Sequence, residues 1–534
     1  MRIATLFWTG LFAGLFALAT SAGYAEEKPA RRPVKLMINW DEQGMWRSQL
    51  DARRKAGLPI DAEIVRATVE AAVDEHAKSG IDRIAYCAWV RFGSPVPGFE
   101  TAPFEQSYYT RAAGFETLHE AGSDQLEVLT ERCHQRGMEF LVCLRMNDRH
   151  GEARHAPFYT AHPEWRLEEY PGGLDFKFEG VRAPIVAFVK EVLARYDIDG
   201  IELDYQRWCH VFRPSEAVES ALLLTDMTQK IRAELDAASK RRGRKLLLSA
   251  RVPQTLEECH ALGFDVATWI RTGLLDYVCP SDFFFSDFNM KVEDYVKLAQ
   301  GTDCKVYPSV HPLVVHSYPR NMTAANYRAA ARNYYAMGAA GVSAFNFMYN
   351  WARWYGGDRG SMDGWPRSLR LLKQLRDPRV LDSRDRHYFF YPLWAPRSPS
   401  GATKHDIIKF DRVTTKADSE LRFRLAEDLS DPKLNATLQF KVVGSVPGDE
   451  FEVHINDTRI DPSAIERIFA PYGQKKDAGR ELPQFYLWRM NLRHPPAVHG
   501  DNFLRVTLKE SGGGGAESEE KLTVQELEVW VTVN

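Results

Sequence analysis

The 534-residue chain has no excess of either charge: 69 Lys and Arg stand against 72 Asp and Glu, a net −3 with pI near 6.6. Such a balance makes no global field for a polyanion, so a basic nucleic-acid binder is excluded. The chain has no CxxC pair, and its cysteines number an odd seven: Cys87, Cys133, Cys143, Cys209, Cys259, Cys279 and Cys304. A domain of this size does not need disulfides. Cys87, Cys143 and Cys279 lie in apolar strand-like runs, where a buried free thiol is the ordinary outcome. His150 and His155 lack a ligand-spaced partner, so neither a metal nor an organic cofactor is expected. Beyond the N-terminal run, no stretch approaches membrane-spanning length.

Aromatic residues are plentiful, 12% with 13 Trp. They suit either a large core or a ligand with flat apolar faces, such as a sugar ring. Apolar residues at 44% and charged residues at 26% exclude wholesale disorder. At the start, Met1-Arg2, an apolar run over 3–20 and small residues at Gly23 and Ala25 read as a secretory signal. Cleavage is expected after Ala25, giving a secreted or periplasmic chain with no membrane partner. An uncleaved anchor is the alternative.

Strand-like runs recur over 34–40, 81–89, 138–145, 198–205, 246–252, 275–280, 305–310 and 341–348. Amphipathic helical stretches separate them, at 61–79, 123–136, 183–196, 216–241, 265–272, 292–300 and 324–337, and a last one at 365–375 closes the set. This alternation predicts an α/β fold, a (β/α)8 TIM barrel over 26–376. A doubly wound sheet is disfavoured, because no Gly-rich phosphate turn follows the first strand. Residues 377–403, rich in Pro, Arg and Ser, read as a linker. Short strand-like runs over 404–534 predict an all-β sandwich of jelly-roll type.

Barrel enzymes work at the C-terminal ends of their strands. There the runs end in Asn39-Trp40-Asp41-Glu42, Trp89-Val90-Arg91, Arg145-Met146-Asn147-Asp148, Ser249-Ala250-Arg251, Ser281-Asp282, Val310-His311 and Asn346 to Trp351. The sharpest motif is Asp199-Gly200-Ile201-Glu202-Leu203-Asp204-Tyr205. Alternation puts Glu202 and Asp204 on one face, which in a barrel points inward. A buried carboxylate is costly unless paired or used. Asp204, nearer the mouth, is the candidate nucleophile or base. Glu202, one layer lower, orients it or pairs with an arginine. A salt bridge from Asp204 to Arg145 or Arg251 is the plain structural alternative.

A glycosidase needs a second carboxyl group. Asp282 is the candidate general acid, with Phe283–Phe285 expected to desolvate it; a turn cap is its alternative role. Asp41, Glu42 and Asp148 are rival positions. Candidate substrate-binding residues are Trp40, Asp41, Trp89, Arg145, Glu202, Arg207, Trp208, Arg251, His311, Asn346 and Trp351. Trp46 and Trp354 also lie near the predicted rim. The rim arginines Arg91, Arg145, Arg207 and Arg251 suit an acidic polysaccharide, uronate-containing or sulfated; alternatively they neutralise the barrel's own carboxylates.

The string Asp-Gly-Ile-x-x-Asp-Tyr-x-Arg at 199–207 resembles the fourth-strand motif of bacterial glycosyl-hydrolase-like proteins described as family-10-like. Leu248-Ser249-Ala250-Arg251, followed by Trp269, Gly273, Asp276 and Val278, is similar to the same family's next segment. The resemblance covers about 34–375. It implies an exported (β/α)8 barrel acting on glycosidic bonds of a polysaccharide or oligosaccharide, with Asp204 in the catalytic position. The motif also resembles the family 18 chitinase signature, but Gln206 stands where that family has its catalytic Glu. An amide cannot protonate a leaving group as a carboxylic acid does. Three activities stay open: a glycoside hydrolase, a non-catalytic carbohydrate-binding barrel like a chitinase-like lectin, and a polysaccharide lyase or deesterifying enzyme.

Overall fold

Each of the eight apolar runs becomes a barrel strand. They are β1 (Leu36–Trp40), β2 (Arg83–Trp89), β3 (Glu139–Arg145), β4 (Gly200–Asp204), β5 (Leu247–Pro253) and β6 (Tyr277–Ser281). The seventh run forms two pieces, β7 (Lys305–Val306) and β8 (Ser309–Val310). A short pair follows, β9 (Leu313–Val315) and β10 (Arg320–Asn321), and then the last barrel strand, β11 (Val342–Phe345). The computed structural model describes residues 33–40, 46–103, 114–149, 156–206, 208–282, 285–315, 320–347, 366–390, 407–417, 419–470, 485–492, 497–512 and 521–534. The expected signal over 1–25 lies outside them.

The barrel strands run parallel in chain order, and β11 returns to pair with β1. Pro308, which has no N–H, sits where the seventh strand divides. β7 pairs with β6 and β8 pairs with β11, so the divided strand closes the ring. Helices between the strands start where the sequence offers a cap. Asp61 accepts from Ile64 N at 2.9 Å to open Ala62–Lys78. Asp124 accepts from Leu126 N and Glu127 N to open Gln125–Gln135.

Strand alternation divides the buried side chains. Leu36, Ile38, Ile84, Tyr86, Phe140, Val142, Ile201 and Leu203 face the helices. Met37, Ala85, Leu141, Cys143, Tyr277, Cys279 and Tyr307 fill the lumen. Below them Arg83 lies 4.4 Å from the Tyr277 ring centroid and pairs with Glu139. All seven cysteines are buried free thiols. Among the described residues, no helix is long and apolar enough to cross a membrane.

One device repeats along the lower rim. An aspartate immediately precedes β2, β4 and β6: Asp82, Asp199 and Asp276. Each accepts a backbone N–H from the start of the preceding strand: Leu36 N at 3.1 Å, Phe140 N at 2.8 Å and Leu248 N at 2.8 Å. Each also meets a cation. Arg376 holds Asp82, Arg244 holds Asp199 at 2.6 Å, and Lys245 and Arg232 hold Asp276 at 2.5 and 3.0 Å.

The C-terminal region consists of two antiparallel sheets. One contains β12 (Arg386–Phe390), β13 (Ile407–Asp411), β14 (Lys416–Ala417), β16 (Leu434–Val443), β19 (Glu466–Ala470), β20 (Phe485–Asn491) and β22 (Thr523–Val533). The other contains β15 (Leu421–Leu425), β17 (Glu450–Ile455), β18 (Thr458–Arg459) and β21 (Gly500–Glu510). The stretch read as a linker is ordered over part of its length. It holds the helix Pro378–Asp382 and β12, which pairs with β22. Arg386 and Tyr388 of β12 share the buried Glu427 carboxylate, at 2.5 Å and 2.7 Å. Asn289 and Asn333 of the barrel donate to Arg422 O and Arg424 O of β15, at 2.7 and 2.9 Å.

Candidate active site

Register builds the site. Arg145, Asp204 and Arg251 are neighbours across β3, β4 and β5. Arg251 Nε stands 3.0 Å from Asp204 Oδ1, and both side chains are buried. Gln206 N donates to the same oxygen at 3.1 Å. Arg251 continues to Ser281 Oγ at 3.1 Å, and Ser281 Oγ lies 2.9 Å from His311 Nε2. The Arg251 guanidinium carbon lies 3.6 Å from the Phe345 ring centroid. A polar chain therefore crosses the upper lumen from Asp204 to His311. Asp204 Oδ2 is buried and has no hydrogen-bond partner among the described residues.

One layer down, Glu202 receives Asn39 Nδ2 at 2.5 Å, Tyr277 OH at 3.4 Å and Ser249 Oγ at 3.5 Å. Burial, and next the Asp204 charge, push the Glu202 carboxyl up to about 7. Near neutrality Glu202 therefore holds less than a full charge.

Other predicted residues have different surroundings. Arg145 pairs with Asp148 at 3.7 Å. With Arg251 on Asp204, two of the four rim arginines engage the barrel's own carboxylates. Asp282 accepts from Gln254 Nε2 and from Phe285 N, both at 3.2 Å. The second contact is the turn cap weighed as its alternative role. Phe283 and Phe284 lie outside the described residues. Asn346 is buried, and its N–H reaches Asn39 O at 3.1 Å.

Trp40 and Trp89 are corrections: both are buried in the core between strands and helices. Trp40 occupies the outward face of β1 and donates to His76 Nε2 at 2.8 Å. Burial lowers the His76 pKa to about 4, which keeps the ring a neutral acceptor. Trp89 shares parity with the inward Cys87, but a bulge between Cys87 and Trp89 shifts the register. Trp89 therefore packs outward on Phe188, 5.0 Å between centroids. Trp46 is likewise core, stacked on Tyr86 at 5.8 Å. Trp208 is half-buried at the rim. Asp41, Glu42, Arg207, Trp351 and Trp354 lie outside the described residues.

Backbone strain marks the same end of the barrel. Among its described residues, Arg91, Phe92 and Asn346 are the non-glycines at positive φ, 48°, 59° and 45°. All three follow the C-terminal end of a strand, β2 or β11. Such conformations cost about 1–3 kcal/mol each and gather at functional sites. Asn39 and Ser281 stood in the sequence only as strand ends without a role, and Gln254 was not singled out. Parity pointed to Asn39, which shares the inward face of β1 with Met37.

No protein-family model matches the chain, and no curated protein matches it. Among solved structures, the chain is similar to alpha-L-fucosidase isoenzyme 2 from Paenibacillus thiaminolyticus. That likeness has 12% identity and a TM-score of 0.40, over 66% of this chain and 49% of that one, so this chain spans about half the fucosidase's length. It is also similar to the PgaB (BpsB) glycoside hydrolase domain from Bordetella bronchiseptica, at 11% identity and TM-score 0.39, over 59% of this chain and 95% of that one. A third is a glycoside hydrolase family 18 N-acetylglucosaminidase from Paenibacillus barengoltzii, at 12% identity and TM-score 0.34, over 64% and 99%.

Proposed function

We propose that the chain is an exported glycoside hydrolase, with Asp204 as the carboxylate that acts at the sugar. One observation carries this reading. Asp204 ends β4 on the catalytic side of a barrel, with Oδ1 fixed by Arg251 and Gln206 N while buried Oδ2 lacks a partner among the described residues. A buried acceptor left unpaired costs about 1–3 kcal/mol, a cost that an incoming substrate proton or cationic centre removes. Arg251, 3.0 Å from Oδ1, holds the carboxyl group in one orientation, as a nucleophile or base requires. Asp282 is the proposed acid, and an acidic polysaccharide the proposed substrate class.

The test is reducing-end release from neutral, uronate and sulfated polysaccharides, by the chain from Glu26 onward and by its Asp204→Asn variant. Release that the variant loses is expected. Equal release by both removes Asp204 from the mechanism, and an unsaturated, ultraviolet-absorbing product turns the reading to a lyase. The Arg251 ion pair favours one second reading, in which Asp204 is structural and the barrel binds glycan without turnover. That reading expects no release and unchanged glycan binding by Asp204→Asn.

A further inference from the structure

We infer that Arg149 determines specificity by binding an anionic substituent, a carboxylate or a sulfate ester, on the sugar. The inference rests on the glycan-site reading above and names a residue that the rim arginines of the sequence did not include. Arg149 follows the end of β3 by four residues, and Trp208 follows the end of β4 by four. The two therefore rise from the strands whose last residues, Arg145 and Asp204, are register partners.

The surroundings of Arg149 are built. Its guanidinium carbon lies 4.9 Å from the Tyr170 ring centroid and 4.8 Å from that of Trp208. Tyr170 in turn stacks on His210 at 3.7 Å, with 24° between planes. Asn147 ties the two loops together. Its Nδ2 donates to Leu174 O at 2.9 Å and His210 O at 2.8 Å, and its Oδ1 accepts from Leu174 N at 3.0 Å. At Gly173 a Cβ would stand 2.8 Å from Arg149 Cδ, so the arginine stem lies where only glycine leaves room.

A guanidinium held against two rings offers its N–H donors at its edge, the geometry that meets two oxygens of a carboxylate or sulfate. The Trp208 indole beside it can take the apolar face of a sugar ring.

Affinity electrophoresis tests this, with the full chain carrying Asp204→Asn so that the polymer is not consumed. The gels contain polygalacturonate, carrageenan, which is sulfated and lacks carboxylates, or neutral laminarin. Retardation by at least one anionic polymer is expected, and which one separates carboxylate from sulfate. Adding Arg149→Met should weaken that binding about tenfold or more, the equivalent of one charge-assisted hydrogen bond, and Arg149→Lys should recover part of it. Gly173→Ala, which displaces the arginine without removing it, should act in the same direction. Thermal melts confirm that each variant is folded. Anionic binding unchanged by Arg149→Met, or no anionic binding by the Arg149 chain, overturns the inference. Reducing-end release by the Asp204 chain is scored separately, so failure of the hydrolase reading remains distinguishable.

Discussion

Aspartates close the two ends of this barrel in opposite ways. At the lower end, Asp199 accepts Phe140 N and meets Arg244 and His134, a set that uses both of its oxygens. Asp276 is likewise shared among Leu248 N, Arg232 and Lys245. At the upper end, Asp204 has one oxygen held and the other buried without a partner. The same upper end holds the barrel's described non-glycine residues at positive φ. One end spends its polar groups on joining strands. The other keeps bonding capacity and strain in reserve, as a site for chemistry requires.

Asp204→Asn should produce the largest effect, a fall in reducing-end release of about 10²–10⁴-fold if its carboxylate acts in proton transfer. Full activity of that variant would erase the difference between the two ends. Asp199→Ala should do the reverse. It removes the acceptor of Phe140 N and the His134 ring, while Arg244 keeps Asp197 at 2.6 Å, so urea unfolding should show a loss of about 1–3 kcal/mol. Polymer cleavage at low temperature should be retained. A variant that loses cleavage while keeping its stability would place Asp199 in the chemistry and break the contrast.

A third effect concerns Glu202. Its folded-state pKa, about 7, lies above the ordinary carboxylate value, so the folded protein holds the proton more tightly than the unfolded chain. Stability from this group is therefore greatest at acid pH and falls as pH rises from about 4.5 to about 7, by on the order of 3 kcal/mol. Melting temperature measured across that window should decline less steeply in Glu202→Gln. Parallel pH profiles for the two proteins would show that Glu202 does not hold the proton.

Much of the barrel was legible because period-two apolar runs alternated with helical ones. The runs fall on barrel strands to within a few residues, and the divided strand at Pro308 is still one run in sequence. The strand at 386–390 was hidden because its neighbours are rich in Pro, Arg and Ser, and its burial depends on Glu427 and β22, both remote in the chain. Asp82, Asp199 and Asp276 also share a local pattern, an aliphatic residue, Asp, any residue, then Ile or Val. Local pattern could not tell that Asp199 closes the bottom while Asp204, five residues on, stands at the top. That distinction is the length of one strand.

The candidate site was legible only where parity survives. Glu202 and Asp204 point inward as alternation requires. Trp40 was read as a ligand platform although parity faced it outward. Trp89 was misplaced because the Cys87/Trp89 bulge inserts one residue and reverses the face. Arg149 carried no signal, since Tyr170 and Gly173 reach it from one loop and Trp208 from another.

By itself, the sequence determined which segments become strands and helices, and which residues of β4 share the lumen, because both follow from local periodicity. Tertiary structure alone decided which cation meets each carboxylate, that one oxygen of Asp204 stays without a partner among the described residues, and that two rings hold Arg149. Those outcomes depend on distances between residues far apart in the chain, and strand register and loop packing set such distances.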